Sequence, residues 1–213
     1  MTMKKIPDLS LYVISGRHLA RGRDLLAVMA AALAGGATVI QLREKDMTAR
    51  ELVEAGYRLQ EMTREHGATF IVNDRVDVAL AVDADGVHLG QDDLPVSVAR
   101  ELLGADKIIG LSTHSFEQAL AATSLPVDYI GVGPVFATQT KPGTRPVGVE
   151  LVSRVSRELS VPFVAIGAID ENNIDGVLST GARNVAVLSA VVAAPDVTAA
   201  ATRLIARIRE KTA

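Results

Sequence analysis

Eight short β-branched runs recur along the 213-residue chain, separated by longer stretches with helical spacing. This alternation limits the fold more than any single residue does. The runs are LYVIS (11–15), TVIQLRE (38–44), TFIVN (69–73), GVHLG (86–90), KIIGLS (107–112), YIGVGPV (129–135), PFVAIG (162–167) and NVAVLS (184–189). Helical patterns such as DLLAVMAAALAGG, TARELVEAGYRLQEMTREHG and GVELVSRVSREL lie between them, and VTAAATRLIARIRE closes the chain. Thr48 with Glu51 three residues on reads as a capping box, and Gly67 and Gly181 follow helical periods as stop signals. Strands joined by helical crossovers pair in parallel. Eight such units predict an α/β fold, a closed (β/α)8 TIM barrel in one compact domain spanning 1–213, with residues 1–10 as an N-terminal extension. An open doubly wound sheet is the alternative, because periodicity does not register closure.

Composition narrows the partners. Hydrophobic residues make up 48% and charged residues 22%, as in a globular protein rather than a disordered one. The formal net charge of −3 gives no general attraction to nucleic acid, and with no Trp and 3% aromatics a base-stacking platform is not expected. No run is long enough to span a bilayer, and Pro7 and Asp8 interrupt the apolar stretch a signal peptide needs. The absence of Cys excludes disulfides and fits a reducing compartment, so a cytoplasmic location is expected. Small-molecule partners follow. A homo-oligomer is admitted, but the sequence does not decide it.

In α/β folds the chemistry gathers at the carboxyl ends of the strands, and that is where this chain places its unusual polar residues. In TVIQLREK, alternation puts Val39, Gln41, Arg43 and Lys45 on one face, with Ile40 and Leu42 turned to the helices. Two cations at a barrel mouth need compensating anions. Either Glu44 or Asp46 pairs with them, or a ligand does. Asn73 and Asp74 end the third run, and Asp92 and Asp93 follow the fourth. Adjacent strands would bring Asp74 near one of the later pair, where clustered carboxylates repel unless a cation separates them. A hard ion such as Mg²⁺, shared with phosphate oxygens, resolves that conflict; the plainer alternative makes these residues helix N-caps. His88 reads as a hydrogen-bonded barrel residue. Ser112 stands near His114, but no Gly-x-Ser-x-Gly elbow surrounds it, so a substrate contact or a cap is expected rather than a nucleophile.

The loop GPVFATQTKPG (133–143) brings the hydroxyls of Thr138 and Thr140 together with the compact cation of Lys141. The seventh and eighth runs end in AIGAI and AVLSA. There Gly167, Ala168, Leu188 and Ser189 could present backbone amides to a phosphate. Two anion sites over one mouth are therefore expected. One is cationic and metal-assisted, fit for a diphosphate; the other is neutral and fit for a monophosphate. That is the arrangement of a group transfer with diphosphate as leaving group.

QLREK, VND, HLGQDD, GLSTH, GPVFATQTK, AIGAI and VLSA, in this order and spacing, resemble the thiamine phosphate synthase family from the first strand to the last. The resemblance implies an enzyme that joins a hydroxymethylpyrimidine diphosphate to a thiazole phosphate, with Mg²⁺ assisting a dissociative substitution. Gln41, Arg43, Lys45 and Asn73 would contact the pyrimidine diphosphate, and Asp74 and Asp93 would hold Mg²⁺. Ser112 and Lys141 would touch the pyrimidine substrate and its diphosphate. Thr138, Thr140, the backbone at Ala168, Leu188 and Ser189 would hold the thiazole phosphate. Arg43, Lys45, Ser112 and Lys141 form the catalytic set, with no general base. The family usually reads Ile-Gly-Gly-Ile where this chain has Ile166, Gly167, Ala168 and Ile169. Ala keeps the amide donor, but it is strained if the position requires positive φ. A thiazole tautomerase on the same scaffold and a non-catalytic phosphate-ligand barrel are the rival readings. Retention of the cations together with the carboxylates favours the synthase.

Overall fold

The structure is a computed structural model that describes residues 7–137 and 145–212. Eight strands close into one parallel barrel in sequence order. They are β1 (Leu11–Ile14), β2 (Val39–Leu42), β3 (Thr69–Asn73), β4 (Gly86–Leu89), β5 (Ile108–Thr113), β6 (Tyr129–Val132), β7 (Phe163–Ile166) and β8 (Val185–Val187). The β8–β1 pairing, with Leu11 opposite Val185, decides for the barrel over the open sheet. The connecting helices are α1 (Leu25–Ala34), α2 (Ala49–His66), α3 (Val76–Ala81), α4 (Val96–Leu103), α5 (Phe116–Ala122), α6 (Gly148–Glu158) and α7 (Ile174–Leu178). After β8 come α8 (Ser189–Val192) and α9 (Val197–Thr212).

Each expected strand is present and most are shorter than read. β2 stops at Leu42, so Arg43 and Lys45 sit on the loop beyond the strand rather than on its face. Two short elements were not foreseen, the 3-10 turn Arg17–Leu19 and α8. Neither is long enough to display a helical period.

Alternation sorts the strand side chains into two apolar bodies. Leu11, Val13, Ile40, Leu42, Phe70 and Val72 face the helical shell, while Tyr12, Ile14, Val39, Ile71, Ile108, Tyr129, Val164 and Ala186 fill the barrel interior. At the amino-terminal rim, a polar residue just before every second strand latches the strand preceding it. Leu11 N donates to Thr38 Oγ1 (3.1 Å), Phe70 N to Asp85 Oδ2 (2.7 Å) and Ile109 N to Asp128 Oδ2 (2.7 Å). Asn184 Nδ2 in turn donates to Phe163 O (2.9 Å). These bonds satisfy backbone groups in the first two residues of each strand that would otherwise be buried without partners. They pin the pairs β1–β2, β3–β4, β5–β6 and β7–β8 at the stability end of the barrel, away from the mouth.

The capping box at α2 forms as read. Glu51 N donates to Thr48 Oγ1 and Thr48 N donates to Glu51 Oε2, while Gly67 ends the helix at φ 64°. Removing the cap in Thr48→Ala should destabilise the protein by about 1 kcal/mol. In a thermal melt that appears as a loss of about 2–4 °C, with an unchanged far-UV spectrum.

Candidate active site

Toward the carboxyl ends of β2 to β5, the inward-facing positions change from small or apolar to polar. Val39 gives way to Gln41, Ile71 to Asn73, Gly86 to His88, and Ile108 to Ser112. On β7, β8 and β1 the same level stays apolar, with Ile166, Leu188 and Ile14. The mouth therefore has a polar half and an apolar half.

The polar half opens into a basin of about 450 Å³ lined by Arg43, Lys45, Asn73, Asp74, Asp93, Ser112 and His114, a size suited to a small polar ligand. Arg43 is placed by its amide, which donates to the buried Ser15 hydroxyl (2.8 Å). Glu44 turns away and accepts the Arg17 amide with both carboxylate oxygens (3.0 Å each), so the local-pairing alternative does not hold for it. Across the basin Asp74 sits in left-handed backbone, φ 61°, with its amide donating to His88 O (2.9 Å). Asp93 is held by Gly90 N, which donates to its Oδ2 (2.7 Å). The two carboxyls meet. Burial, then the Asp93 carboxyl beside it, pushes the Asp74 pKa up from 3.8 to about 6; Lys45 and Arg43 pull the other way without cancelling this. Neither acid is an N-cap: α3 starts after Arg75 and α4 after Pro95. Asp93, rather than the exposed Asp92, is the partner of Asp74.

The apolar half is lined by Ile14, Ile166, Ile169, Ala186 and Leu188, with Gly167, Ala168 and Ser189 at its edge. Among the described residues, the amides of Gly167, Ala168 and Ser189 meet no acceptor, which leaves N–H groups for an anion at a neutral site. Gly167 (φ 116°) admits no side chain, because a Cβ would come within 2.5 Å of Pro134 Cα. Ala168 adopts φ 48°. The strained alternative therefore applies, at about 1 kcal/mol for an L-residue in this region. Asn173 holds the turn, with Nδ2 donating to Ala168 O and Oδ1 accepting from Asp170 N (2.9 Å each).

Gln41, Arg43, Lys45, Asn73, Asp74, Asp93 and Ser112 are thus brought to one polar wall, and Gly167, Ala168, Leu188 and Ser189 to the facing one. Thr138, Thr140 and Lys141 lie outside the described residues. Ser112 is not a cap; Ser115 caps α5 instead. Its partner is His88 Nε2 (2.9 Å), whereas His114 turns its Nδ1 to Gly133 O. The other nitrogen of His88 meets Tyr129 Oη (2.9 Å), at the place where a Ser-His-Asp triad would put its carboxylate. Sequence reasoning missed Tyr12 and Tyr129, the buried partners beneath these groups. Their inward parity within LYVI and YIGV was visible, but not which residues they would meet. It also missed Gln91, whose Nε2 donates to Ser112 O (2.6 Å).

Two outcomes follow. In the metal-free protein Asp74 binds its proton more tightly folded than unfolded, so stability falls as pH rises from 3.8 through about 6. Solvent reaches the carboxyl, which discounts the effect to about 1–2 kcal/mol. Denaturant titrations at pH 4 and pH 8 should show this loss in the wild type and not in Asp74→Asn, whose amide also tolerates left-handed backbone. Ala168→Gly should gain about 0.5–1 kcal/mol in the same titration by releasing the positive-φ strain.

Comparison with known proteins agrees with this geometry. Residues 11–191 match the profile of a family described as thiamine monophosphate synthase. The thiamine-phosphate synthase of Chloroflexus aurantiacus is 51% identical over 96% of this chain and 94% of its own length. That of Moorella thermoacetica is 50% identical over 93% and 95%. The solved thiamine phosphate pyrophosphorylase from Pyrococcus furiosus superposes with a TM-score of 0.90 at 44% identity, covering 96% of this chain and 98% of that one. With matches of this length and identity, the chain belongs to the thiamine monophosphate synthase family.

Proposed function

We propose that this chain is a thiamine phosphate synthase, a transferase that joins 4-amino-2-methyl-5-hydroxymethylpyrimidine diphosphate to a thiazole phosphate. The products are thiamine monophosphate and diphosphate. The observation that carries the reading is the placement of Arg43 and Lys45 opposite the Asp74–Asp93 pair in one basin, within electrostatic reach of each other.

In this reading the methylene C–O bond of the pyrimidine substrate breaks, and its electron pair leaves with diphosphate. The thiazole nitrogen then donates its lone pair to the methylene carbon, forming the C–N bond. Arg43 and Lys45 stabilise the charge gathering on the leaving oxygens, the largest contribution such a site can make. The apolar half keeps water from the cationic fragment and holds the thiazole beside it. No proton needs to move, which agrees with a site that pairs Ser112 to a histidine whose other nitrogen meets a tyrosine hydroxyl. Asp74 and Asp93 would hold Mg²⁺. Two adjoining carboxylates, one with its proton affinity raised by burial and by the other, would offer such an ion the hard oxygen donors it favours. When bound, Mg²⁺ supplies further positive charge to the departing diphosphate. The amides after β7 and β8 would take the thiazole phosphate, and the absence of Cys suits action in the reducing cytoplasm.

The test is incubation of the purified protein with both phosphorylated substrates, with and without Mg²⁺. Diphosphate and thiamine phosphate should appear in equal amounts, and only with the metal. An isomerised thiazole with no joined product would instead identify a tautomerase. Lys45→Ala and Asp93→Ala should each lower turnover by roughly a hundredfold. Their thermal midpoints should stay near that of the wild type, since both side chains border the basin rather than the core.

A further inference from the structure

Beneath the basin, five side chains from five strands form one unbroken hydrogen-bonded line. Gln41 Nε2 donates to Tyr12 Oη (2.7 Å), and Tyr12 Oη meets Tyr129 Oη (2.9 Å). Tyr129 Oη meets His88 Nδ1 (2.9 Å), and His88 Nε2 meets Ser112 Oγ (2.9 Å). Gln41, Tyr12 and Tyr129 are all buried. Burial pushes the pKa of both phenols up, so each remains a neutral hydroxyl. The fold makes room for this line: a Cβ on Gly110 would come within 2.2 Å of Tyr129 Cζ and 2.5 Å of His88 Nδ1.

Proton counting makes the line directional. A hydroxyl has one proton to donate, and a neutral imidazole has one N–H and one lone pair. With the Gln41 amide donating to Tyr12, the Tyr12 proton has Tyr129 to go to, and the Tyr129 proton has His88 Nδ1. His88 must then carry its proton on Nε2 and donate it to Ser112. The Ser112 proton has no acceptor left within the line. It can only point into the cavity that Ser112 and Gln41 both line. At the other end Gln41 keeps its Oε1 as an acceptor. Reversing the line part-way would leave a buried tyrosine proton without an acceptor, so a single direction throughout is the arrangement that satisfies every buried group.

We propose that Tyr12, Tyr129 and His88 are positioning residues that fix Ser112 as a hydrogen-bond donor and Gln41 as an acceptor toward the aminopyrimidine. This rests on reading the cavity as the pyrimidine site. An aminopyrimidine offers lone pairs on its ring nitrogens and N–H groups on its exocyclic amine, so it can answer a donor and an acceptor at once. A wall free to switch polarity would hold the ring in more than one orientation and misplace the methylene that must ionise.

The test begins without substrate. In protein labelled with 15N-histidine, with the His88 signal assigned by its loss in His88→Gln, the ring should be the neutral Nε2–H tautomer at neutral pH. An Nδ1–H tautomer or an imidazolium would overturn the proposal. Tyr12→Phe leaves the Tyr129-to-His88 donation in place and should keep that tautomer. Tyr129→Phe removes the donor to Nδ1 and should yield a mixture. In Tyr129→Phe, kcat should fall about tenfold and KM for the pyrimidine diphosphate should rise, while KM for the thiazole phosphate stays unchanged. An unmoved tautomer, or an equal rise in both KM values, would reduce Tyr129 to a packing residue and overturn the assignment. A protein with the expected tautomer that forms no thiamine phosphate would contradict the functional reading and leave the bond polarity standing.

Discussion

Closure of the barrel is the constraint on which everything else in this structure depends. Once β8 pairs with β1, every second strand residue is driven into a narrow interior with no bulk water, and a polar group there must find its partner on another strand. The lower interior meets this demand by being apolar, with Val39, Ile71, Ile108 and Val164 in one cluster. The upper interior meets it by linking its polar residues to one another. Gln41, Tyr12, Tyr129, His88 and Ser112 are each the solution to a neighbour's burial.

The mouth above divides its work by polarity. On the β2–β5 side, cations and carboxylates confront each other in an open basin, and the cost is visible in Asp74, whose proton affinity is raised by burial and by Asp93. Such repulsion persists in a stable fold when a ligand relieves it during function. On the β7–β1 side the strands contribute aliphatic surface and backbone amides, and Arg43 borders this half from the β2 side. The proposed reaction would need opposite environments close together, one for an anionic leaving group and one for a flat heteroaromatic reactant. One rim can offer both, because adjacent strands can end in different side chains without altering the barrel beneath.

Much of this was legible beforehand because it is local. The strand runs, the Thr48–Glu51 capping box and the concentration of Gln41, Arg43, Asn73, Asp74 and Asp93 at strand ends are all encoded within a few residues of chain. Elsewhere the local signal was misleading. Arg43 and Lys45 were read as the face of a strand that in fact ends at Leu42, and they reach the basin from a loop held by Ser15. His114 is two residues from Ser112 in sequence, yet His88, two strand positions deeper on the neighbouring strand, is the residue bonded to it.

The sequence by itself determined the alternation of strands and helices, the parity that sends each strand residue inward or outward, and the collection of charged groups at one rim. Each follows from backbone geometry acting over short distances. Only the tertiary structure decided that the sheet closes, that Asp93 rather than Asp92 turns to Asp74, that Ala168 takes positive φ, and that two tyrosines connect Gln41 to His88. Those outcomes depend on which groups are forced together when water is excluded. Partners as far apart as Tyr12 and Tyr129, 117 residues along the chain, leave no mark on each other's local sequence.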